Sequence, residues 1–264
     1  MSSQEQPDQG EAKPRPLNEP ALTALSLYPQ DWAVFLDIDG TLLDLAESPE
    51  AIVVPDYLPA TLHALSRQLG GALALVTGRS IEFVDPLFAP FRFPVAGLHG
   101  AERRDAAGRM RRTHIPPAFQ EMKQAIAREA HTWPGVIVED KGAAVGVHYR
   151  HAPGSEAEIA EAMQRHLEEA GPDWSLQRGK MVIEICPAHA SKGHAVEAFL
   201  AEAPFEGRRP VTIGDDVTDE TMFAAANRLG GQSVRIGDGN GKTLARASIG
   251  SPARLRDVLA TLVK

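Results

Sequence analysis

Short apolar runs that end in small or acidic residues recur along this chain. In the first run, residues 33–36 are all apolar, and Asp37, Ile38 and Asp39 follow before Gly40. An apolar run of this length, closed by turn residues, predicts a buried β-strand with two acids at its carboxyl end. Open α/β sheets bind their ligands at that end of the strands.

The residues after this strand continue the pattern. Leucines at helical spacing over residues 57–69 predict a helix, and the apolar run at 72–76 predicts a second strand. A strand, a helix and a strand in this order pair in parallel, so we expect Thr77 at the same sheet edge as Asp37. A third strand is predicted at residues 94–98.

The pattern changes after about residue 113, where helices and hairpins alternate. The predicted elements are a helix over 117–131, strands over 136–139 and 143–150, a helix over 155–170, and strands over 174–178 and 181–185. Two successive units of this kind predict a separate α+β module. The α/β pattern resumes after residue 185, with a predicted strand over 209–213 and a closing helix over 253–263.

These elements predict one fold class and its division into domains. We expect an α/β protein whose Rossmann-like parallel sheet core comprises residues 25–112 and 186–264. An inserted α+β cap domain, residues 113–185, interrupts that core. Residues 1–24 are polar and rich in Pro, Gln and Glu. This composition predicts a disordered amino-terminal tail.

Composition and charge narrow the range of partners. The net charge of −8 and the pI near 5.6 argue against nucleic acid, because binding a phosphate backbone needs clustered Lys and Arg. No stretch approaches the roughly 20 apolar residues of a membrane helix, so no membrane partner is expected. Cys186 is the only cysteine, which excludes an internal disulfide and fits a reducing compartment. We therefore expect a cytoplasmic protein that acts on a small molecule; the sequence assigns no oligomeric state.

The acidic residues at the strand ends indicate a cation site. Asp37 and Asp39 are two residues apart, so their carboxylates share one side of the strand and need a cation, a shared proton or open water between them. Asp215 and Asp219 follow the strand at residues 209–213. All of these donors are hard oxygens, which favours Mg²⁺. Helix capping is the alternative role for the acids at 216, 219 and 220.

Two further segments carry groups that can bind phosphate. Thr77, Gly78 and Arg79 form a turn in which a hydroxyl, backbone amides and a guanidinium could hold phosphate oxygens. A plain strand-to-helix turn capped by Ser80 is the alternative. Lys192 begins a predicted helix, where it could stabilise phosphoryl transfer or be an ordinary surface lysine.

The last predicted hairpin of the cap has one polar and one apolar face. Residues 180, 182 and 184 share one face of the strand, and residues 181, 183 and 185 share the other, which we expect to pack on the cap helices. The polar face either meets only water or lies over the sheet edge that carries the acids. In the second case Lys180 and Glu184, joined by Arg178, would hydrogen-bond a polyol.

The segment Asp-Ile-Asp-Gly-Thr after an apolar strand, beginning at Asp37, resembles the signature of the haloacid-dehalogenase-like (HAD) phosphatases. The resemblance implies the HAD fold, with Asp37 as the nucleophile and Asp39 as the acid that protonates the leaving oxygen and then deprotonates water. It also implies Lys192 as a catalytic residue. By the same resemblance Mg²⁺ is bound by the side chains of Asp37 and Asp215 and the backbone carbonyl of Asp39, while Asp219 supports the water shell.

A narrower resemblance rests on five further segments. These are Thr-Gly-Arg at Thr77, Leu-His-Gly-Ala-Glu at Leu98, residues 141–150, Gly179-Lys180 with Glu184-Ile-Cys-Pro, and Ser-Lys-Gly at Ser191. Together they resemble the trehalose-6-phosphate phosphatases, with a departure at Cys186, where a basic residue is typical. The resemblance implies hydrolysis of trehalose 6-phosphate through an aspartyl phosphate. The substrate-binding residues that it implies are Asp37, Ile38, Asp39, Thr77, Gly78, Arg79, His99, Arg178, Lys180 and Glu184.

The sequence leaves two other functions open. One is a phosphatase of a related sugar phosphate, such as a sucrose or glucosylglycerate phosphate, because hydroxyl geometry decides which sugar binds. The other is a phospho-aspartate signalling or binding module. Receiver domains of that kind also gather acids, a Thr and a Lys, but they have neither an inserted cap nor an Asp-x-Asp pair.

Overall fold

The computed structural model describes residues 15–16, 20–46, 51–179, 181–237 and 242–263. The described strands are β1 (Arg15–Pro16), β2 (Trp32–Leu36), β3 (Leu73–Val76), β4 (Val95–Gly97), β5 (Glu102–Arg104), β6 (Met110–Arg112), β7 (Ile137–Asp140), β8 (Val145–His148), β9 (Trp174–Gly179), β10 (Val182–Pro187), β11 (Arg209–Gly214), β12 (Gln232–Ile236) and β13 (Ala247–Ile249). The described helices are α1 (Pro20–Leu27), α2 (Leu58–Gln68), α3 (Ile81–Leu87), α4 (Pro117–Glu129), α5 (Glu156–Ala170), α6 (Lys192–Leu200), α7 (Glu220–Arg228) and α8 (Pro252–Leu262).

A mostly parallel sheet forms the centre of the molecule. Within the described ranges it has nine strands in the order β1-β13-β12-β11-β2-β3-β4-β5-β6. In this order, all neighbouring strands between the β1 edge and β4 are paired in parallel. The pairs β4-β5 and β5-β6 are antiparallel. Every residue of β2 is buried, as expected for a central strand covered on both faces. The predicted α/β fold with a Rossmann-like sheet is confirmed.

A second sheet belongs to the segment between β6 and α6. It is antiparallel, with the order β7-β8-β10-β9. Its core is separate from that of the large sheet and contains apolar residues of the sheet and of α4 and α5: Phe119, Ile126, Ile159, Met163, Ile183 and Ile185. This inserted module carries β10 to Pro187, two residues beyond the boundary predicted at residue 185.

The predicted amino-terminal tail requires a correction. Residues 1–14 and 17–19 of that segment lie outside the described residues, but α1 begins at Pro20. Leu22 and Leu25 of this helix are each 1% exposed, and Ser26 Oγ donates to the Leu262 carbonyl at 3.2 Å. The boundary at residue 24 is wrong because these leucines, one turn apart, bury an apolar face next to α8.

Helix length and polarity also bear on membrane contact. In the part of the chain that the structure describes, no helix combines the length and the apolar character that crossing a bilayer requires.

Candidate active site

Neighbouring parallel strands end at one edge of the sheet and bring acidic residues together. Asp37 follows β2, and its N–H donates to the Ile213 carbonyl of β11 at 3.0 Å. Asp215 follows β11, and Asp219 lies in the single 3-10 turn that leads into α7. One carboxylate oxygen from each of the three acids lies within 4.8 Å of the others. This edge therefore offers a compact set of oxygen ligands.

The turn after Asp37 is tightly hydrogen-bonded. The Ile38 carbonyl accepts the N–H of Thr41 at 3.3 Å and the N–H groups of the next two leucines at 3.0 and 2.9 Å. The Ile38 side chain is fully buried, and Ile38 is not among the residues that line the cavity. Gly40 has φ +77°, and a Cβ atom there would lie 2.1 Å from Asp215 Oδ2. Glycine is required at this position because the Asp215 carboxylate lies directly against the turn.

Lys192 is the cation at the centre of these acids. Its ammonium donates to Asp37 Oδ1 at 2.7 Å and to Asp219 Oδ1 at 2.6 Å, and the residue is 3% exposed. Asp219 Oδ2 accepts the N–H groups of Asp215 and Asp216 at 2.8 and 3.0 Å. Asp219 thus orients both the lysine and the Asp215 loop. Asp219 also forms a capping box with Asp216 at the start of the 3-10 turn, so the helix-capping role proposed as the alternative for these acids is present as well.

The charge balance of the site favours an added cation. Burial, with the nearby Asp219 and Asp215, raises the pKa of Asp37 well above its ordinary value. Burial and Asp219 raise the pKa of Asp215 to about 7. Burial lowers the pKa of Lys192, but Asp219 and Asp37 outweigh it, so this pKa lies above its ordinary value. One ammonium does not offset three carboxylates, so a divalent cation held by oxygens fits the donor set.

The turn that follows β3 holds Arg79 against Asp39. Arg79 Nε donates to Asp39 Oδ2 and Nη2 donates to Oδ1, both at 2.6 Å, and the guanidinium lies 4.2 Å from the centre of the Phe83 ring. The Arg79 N–H donates to Thr77 Oγ1 at 3.1 Å. Ser80 caps α3 through the N–H of Phe83, so the capped-turn interpretation is also correct. The turn both starts a helix and forms a wall of the site.

His99 links this wall to the inserted module. It has φ 57°, and a Cβ atom at Gly78 would lie 2.8 Å from its ring. His99 Nε2 and Glu184 Oε2 of β10 are 3.0 Å apart, and Lys141 Nζ also donates to Glu184. Burial raises the pKa of Glu184, but Lys141 and His99 outweigh it and hold this pKa well below its ordinary value. Glu184 therefore joins the cap to the core as a carboxylate.

The register of β9 decides which of its side chains faces the site. Gln177 pairs with Glu184, whereas Arg178 pairs with Ile183. Directly paired residues share a face of the sheet, so Gln177 points toward the site, and Arg178 lies on the helix-covered face with Ile183. Arg178 is exposed and is not among the residues that line the cavity, so its role in substrate binding stays a prediction that this placement does not support. Lys180 lies outside the described residues.

Comparison with known proteins identifies the family. The model of the trehalose-phosphatase family matches residues 35–248. The chain belongs to this family. A probable trehalose-phosphate phosphatase of Sinorhizobium fredii is 54% identical over 93% of this chain and 93% of its own length. The trehalose-6-phosphate phosphatase of Escherichia coli is 47% identical over 79% of this chain and 78% of its own length. The predicted enzyme class, phosphoric monoester hydrolase, is confirmed.

Solved structures agree on the fold. The carboxyl-terminal domain of the Candida albicans trehalose-6-phosphate phosphatase aligns with TM-score 0.84 and 24% identity, over 97% of this chain and 99% of that one. A haloacid dehalogenase-like hydrolase from Bacillus subtilis aligns with TM-score 0.63 and 16% identity, over 87% and 98%. The fold of this trehalose-phosphatase family member is therefore the predicted HAD fold with a cap.

The site opens into a cavity of about 680 Å³ between the large sheet and the cap. Among the predicted site residues, those that line it are Asp37, Asp39, Thr77, Gly78, Arg79, His99, Glu184, Lys192 and Asp215. Others that line it were missing from the predicted set: Glu139, Lys141, His148, Gln177, Asp216 and Arg235. No sequence signal singled out Gln177, because the register of β9 against β10 decides which face it shares. Arg235 lies near the carboxyl end of β12, the same feature that drew attention to the acids.

Proposed function

We propose that this chain is a Mg²⁺-dependent phosphatase that hydrolyses trehalose 6-phosphate to trehalose and phosphate. The observation that carries the proposal is the buried Asp37 carboxylate, which is bonded to Lys192 at 2.7 Å and borders the cavity between the sheet and the cap, in a chain of the trehalose-phosphatase family. The relatives from Sinorhizobium fredii and Escherichia coli described above are both named as trehalose-phosphate phosphatases. A cytoplasmic location stays a prediction.

The residues that would hold Mg²⁺ are Asp37, Asp215 and the backbone carbonyl of Asp39. Both side-chain oxygens of Asp39 accept bonds from Arg79, which supports a role for its carbonyl instead. Asp219 would support the water shell. When bound, Mg²⁺ neutralises negative charge at the acids and on the phosphoryl group, which reduces the repulsion between nucleophile and substrate.

In the first step an Asp37 oxygen attacks phosphorus, and the bond from phosphorus to the sugar oxygen breaks. Asp39 gives its proton to that oxygen, so that trehalose leaves as a neutral alcohol. Lys192 stabilises the transferring group and orients Asp37. The Thr77 hydroxyl and the backbone of the turn at Gly78 bind phosphoryl oxygens. The product of this step is an aspartyl phosphate on Asp37.

In the second step Asp39 removes a proton from water, and the water oxygen attacks phosphorus. The bond between phosphorus and the Asp37 oxygen breaks, which restores the carboxylate and releases phosphate. Asp39 therefore acts as an acid and then as a base.

The cap supplies the groups that would select the sugar. Gln177 Nε2 donates to the Ala190 carbonyl at 3.0 Å, while Gln177 Oε1 is buried without a hydrogen-bond partner among the described residues. A sugar hydroxyl could donate to this oxygen. Glu184, Lys141 and His99 lie on the same wall and offer hydrogen-bond partners for further hydroxyls. Lys180 stays a predicted member of this group.

A substrate panel tests the proposal. Phosphate release is measured from trehalose 6-phosphate, a sucrose phosphate, a glucosylglycerate phosphate and glucose 6-phosphate, each with and without Mg²⁺. We expect the highest kcat/KM for trehalose 6-phosphate, and only with Mg²⁺. A higher value for another sugar phosphate would reassign the substrate. Phosphorylation of one equivalent of protein without turnover would favour the signalling module.

A further inference from the structure

Arg256 is a buried cation next to the turn formed by residues 38–43, which follows Asp37. It belongs to α8, near the carboxyl terminus, and its side chain is 9% exposed. Arg256 Nη1 donates to the Leu42 carbonyl at 2.9 Å, and Nη2 donates to Asp44 Oδ2 at 3.0 Å. Its Nε is buried and has no hydrogen-bond partner among the residues that the structure describes. The two bonds to residues 42 and 44 therefore define the position of this guanidinium.

The bonded segment is the turn that places the reacting groups. Residues 38–43 are held together by N–H groups that donate to the Ile38 carbonyl and by the Gly40 N–H, which donates to the Leu43 carbonyl at 2.8 Å. Gly40 lies against the Asp215 carboxylate, and Thr41 Oγ1 donates to Asp215 Oδ1 at 3.4 Å. The conformation of this turn thus determines where Asp39 and Asp215 stand relative to Asp37.

We propose that Arg256 is a positioning residue, which clamps residues 42–44 so that the turn keeps the catalytic arrangement. The inference rests on the proposed function. Arg256 touches neither Asp37 nor the cavity, so it acts through the turn. A displacement of about 1 Å at a reacting group can reduce the rate about 100-fold, so a clamp on this turn controls catalysis as well as stability.

Arg208 provides a matched control at the opposite end of the sheet. Its Nη1 donates to the carbonyls of Pro29, Trp32 and Leu69 at 3.0, 3.2 and 2.7 Å. Trp32 begins β2, whereas Asp37 follows its other end. Like Arg256, Arg208 ties backbone carbonyls together, but it does so away from the reacting groups. Loss of Arg208 should lower stability without displacing the catalytic turn.

The experiment compares Arg256→Met, Arg256→Lys, Asp44→Ala and Arg208→Met with the wild-type chain. The measurements are kcat and KM with trehalose 6-phosphate, the thermal midpoint, and amide hydrogen exchange of Thr41, Leu42 and Leu43. For Arg256→Met we expect a loss of about 10- to 100-fold in kcat with little change in KM, because displaced Asp39 and Asp215 weaken the transition state rather than substrate binding. The three amides should exchange faster.

The other variants separate positioning from stability. Arg256→Lys keeps the charge but cannot form both bonds, so we expect an intermediate kcat. Asp44→Ala removes only the acceptor whose side chain is 69% exposed, so the fold is kept and a smaller loss is expected. Arg208→Met should lower the thermal midpoint while kcat and the exchange of the three amides stay at wild-type values.

Two results would overturn the clamp. One is wild-type kcat and wild-type amide exchange in both Arg256→Lys and Asp44→Ala, which settles the question even if Arg256→Met does not fold. The other is an equal loss of kcat in Arg208→Met, which would mean that stability alone explains the effect. If the wild-type chain releases no phosphate from trehalose 6-phosphate, the proposed function fails, and amide exchange still decides whether Arg256 clamps the turn.

Discussion

At the scale of single residues, Asp37 combines burial, close acids and one bonded lysine. Asp37→Asn should reduce kcat by at least about a thousandfold, because a carboxamide is a poor nucleophile for phosphorus and the covalent route is lost. The measurement is steady-state phosphate release with purified protein. Asp56→Asn, at an exposed position, is the control and should keep wild-type turnover. Near-native turnover in Asp37→Asn would remove the nucleophile assignment.

Arg79 tests the role of Asp39. Arg79→Lys replaces two parallel bonds to the carboxylate with a single point charge, which loosens the orientation of the proposed acid. We expect kcat with trehalose 6-phosphate to fall about tenfold or more. With 4-nitrophenyl phosphate the loss should be smaller, since nitrophenolate leaves without a proton. Equal losses with both substrates would contradict a role of Arg79 in positioning the acid.

At the scale of elements, the register of β9 against β10 separates two adjacent side chains. Gln177 faces the cavity with Glu184, and Arg178 faces away with Ile183. Gln177→Ala should lower kcat/KM for trehalose 6-phosphate about tenfold, because a lost hydrogen bond to a substrate hydroxyl costs about 1 kcal/mol or more. Arg178→Ala is the matched control and should keep the wild-type value. The reverse order of effects would show that the sugar contacts the other face.

The contact between β10 and His99 makes the stability of the molecule depend on pH. Because the folded pKa of Glu184 is lowered, its contribution to stability is present above the ordinary pKa of 4.5 and is lost as pH falls below it. Glu184→Gln should cost about 2 kcal/mol near neutral pH, since Lys141 and His99 lose a buried carboxylate partner and Lys141 keeps only the Glu139 carboxylate at 3.6 Å. The difference from wild type should shrink progressively as pH falls below 4.5 toward the lowered pKa of Glu184.

Chemical denaturation at several pH values measures this difference in the free energy of unfolding. Glu161→Gln, an exposed position on α5, is the control and should show no such pH dependence. A cost of Glu184→Gln that stays constant at pH values well below 4.5 would mean that the carboxylate gains nothing from Lys141 and His99.

At the scale of the whole molecule, the proposed Mg²⁺ site couples activity to stability. Raised pKa values at Asp37 and Asp215 mean that the metal-free protein loses stability as pH rises through about 7. Mg²⁺ should therefore raise the thermal midpoint more at about pH 8 than at about pH 6, where protons compete for the same oxygens. Removal of Mg²⁺ with a chelator should abolish phosphate release, and added Mg²⁺ should restore it.

Differential scanning calorimetry and phosphate release at both pH values test this coupling. The control is Asp215→Asn, in which the pH-dependent part of the Mg²⁺ effect should shrink because a titrating ligand is gone. A thermal midpoint that does not respond to Mg²⁺ at either pH would argue against a metal site among these acids.

Apolar periodicity was a sufficient guide to most of the fold. The strands around Asp37 and Asp215 and the helices and hairpins of the insert follow directly from runs and spacing, because each buries a face whose period is set by its own backbone geometry. The start of α1 was missed, since its leucines lie in a polar, proline-rich segment and gain their burial only next to α8. Local composition does not report a contact of that kind.

The sequence by itself determined the alternating α/β plan, the inserted cap and the acids at the strand ends, because these depend on residues close together along the chain. Only the tertiary structure decided that Gln177 rather than Arg178 faces the cavity, that Glu184 meets His99, and that Arg256 holds the turn at Leu42. Such contacts join residues that are distant in sequence, and their geometry depends on strand register and packing, which periodicity does not specify.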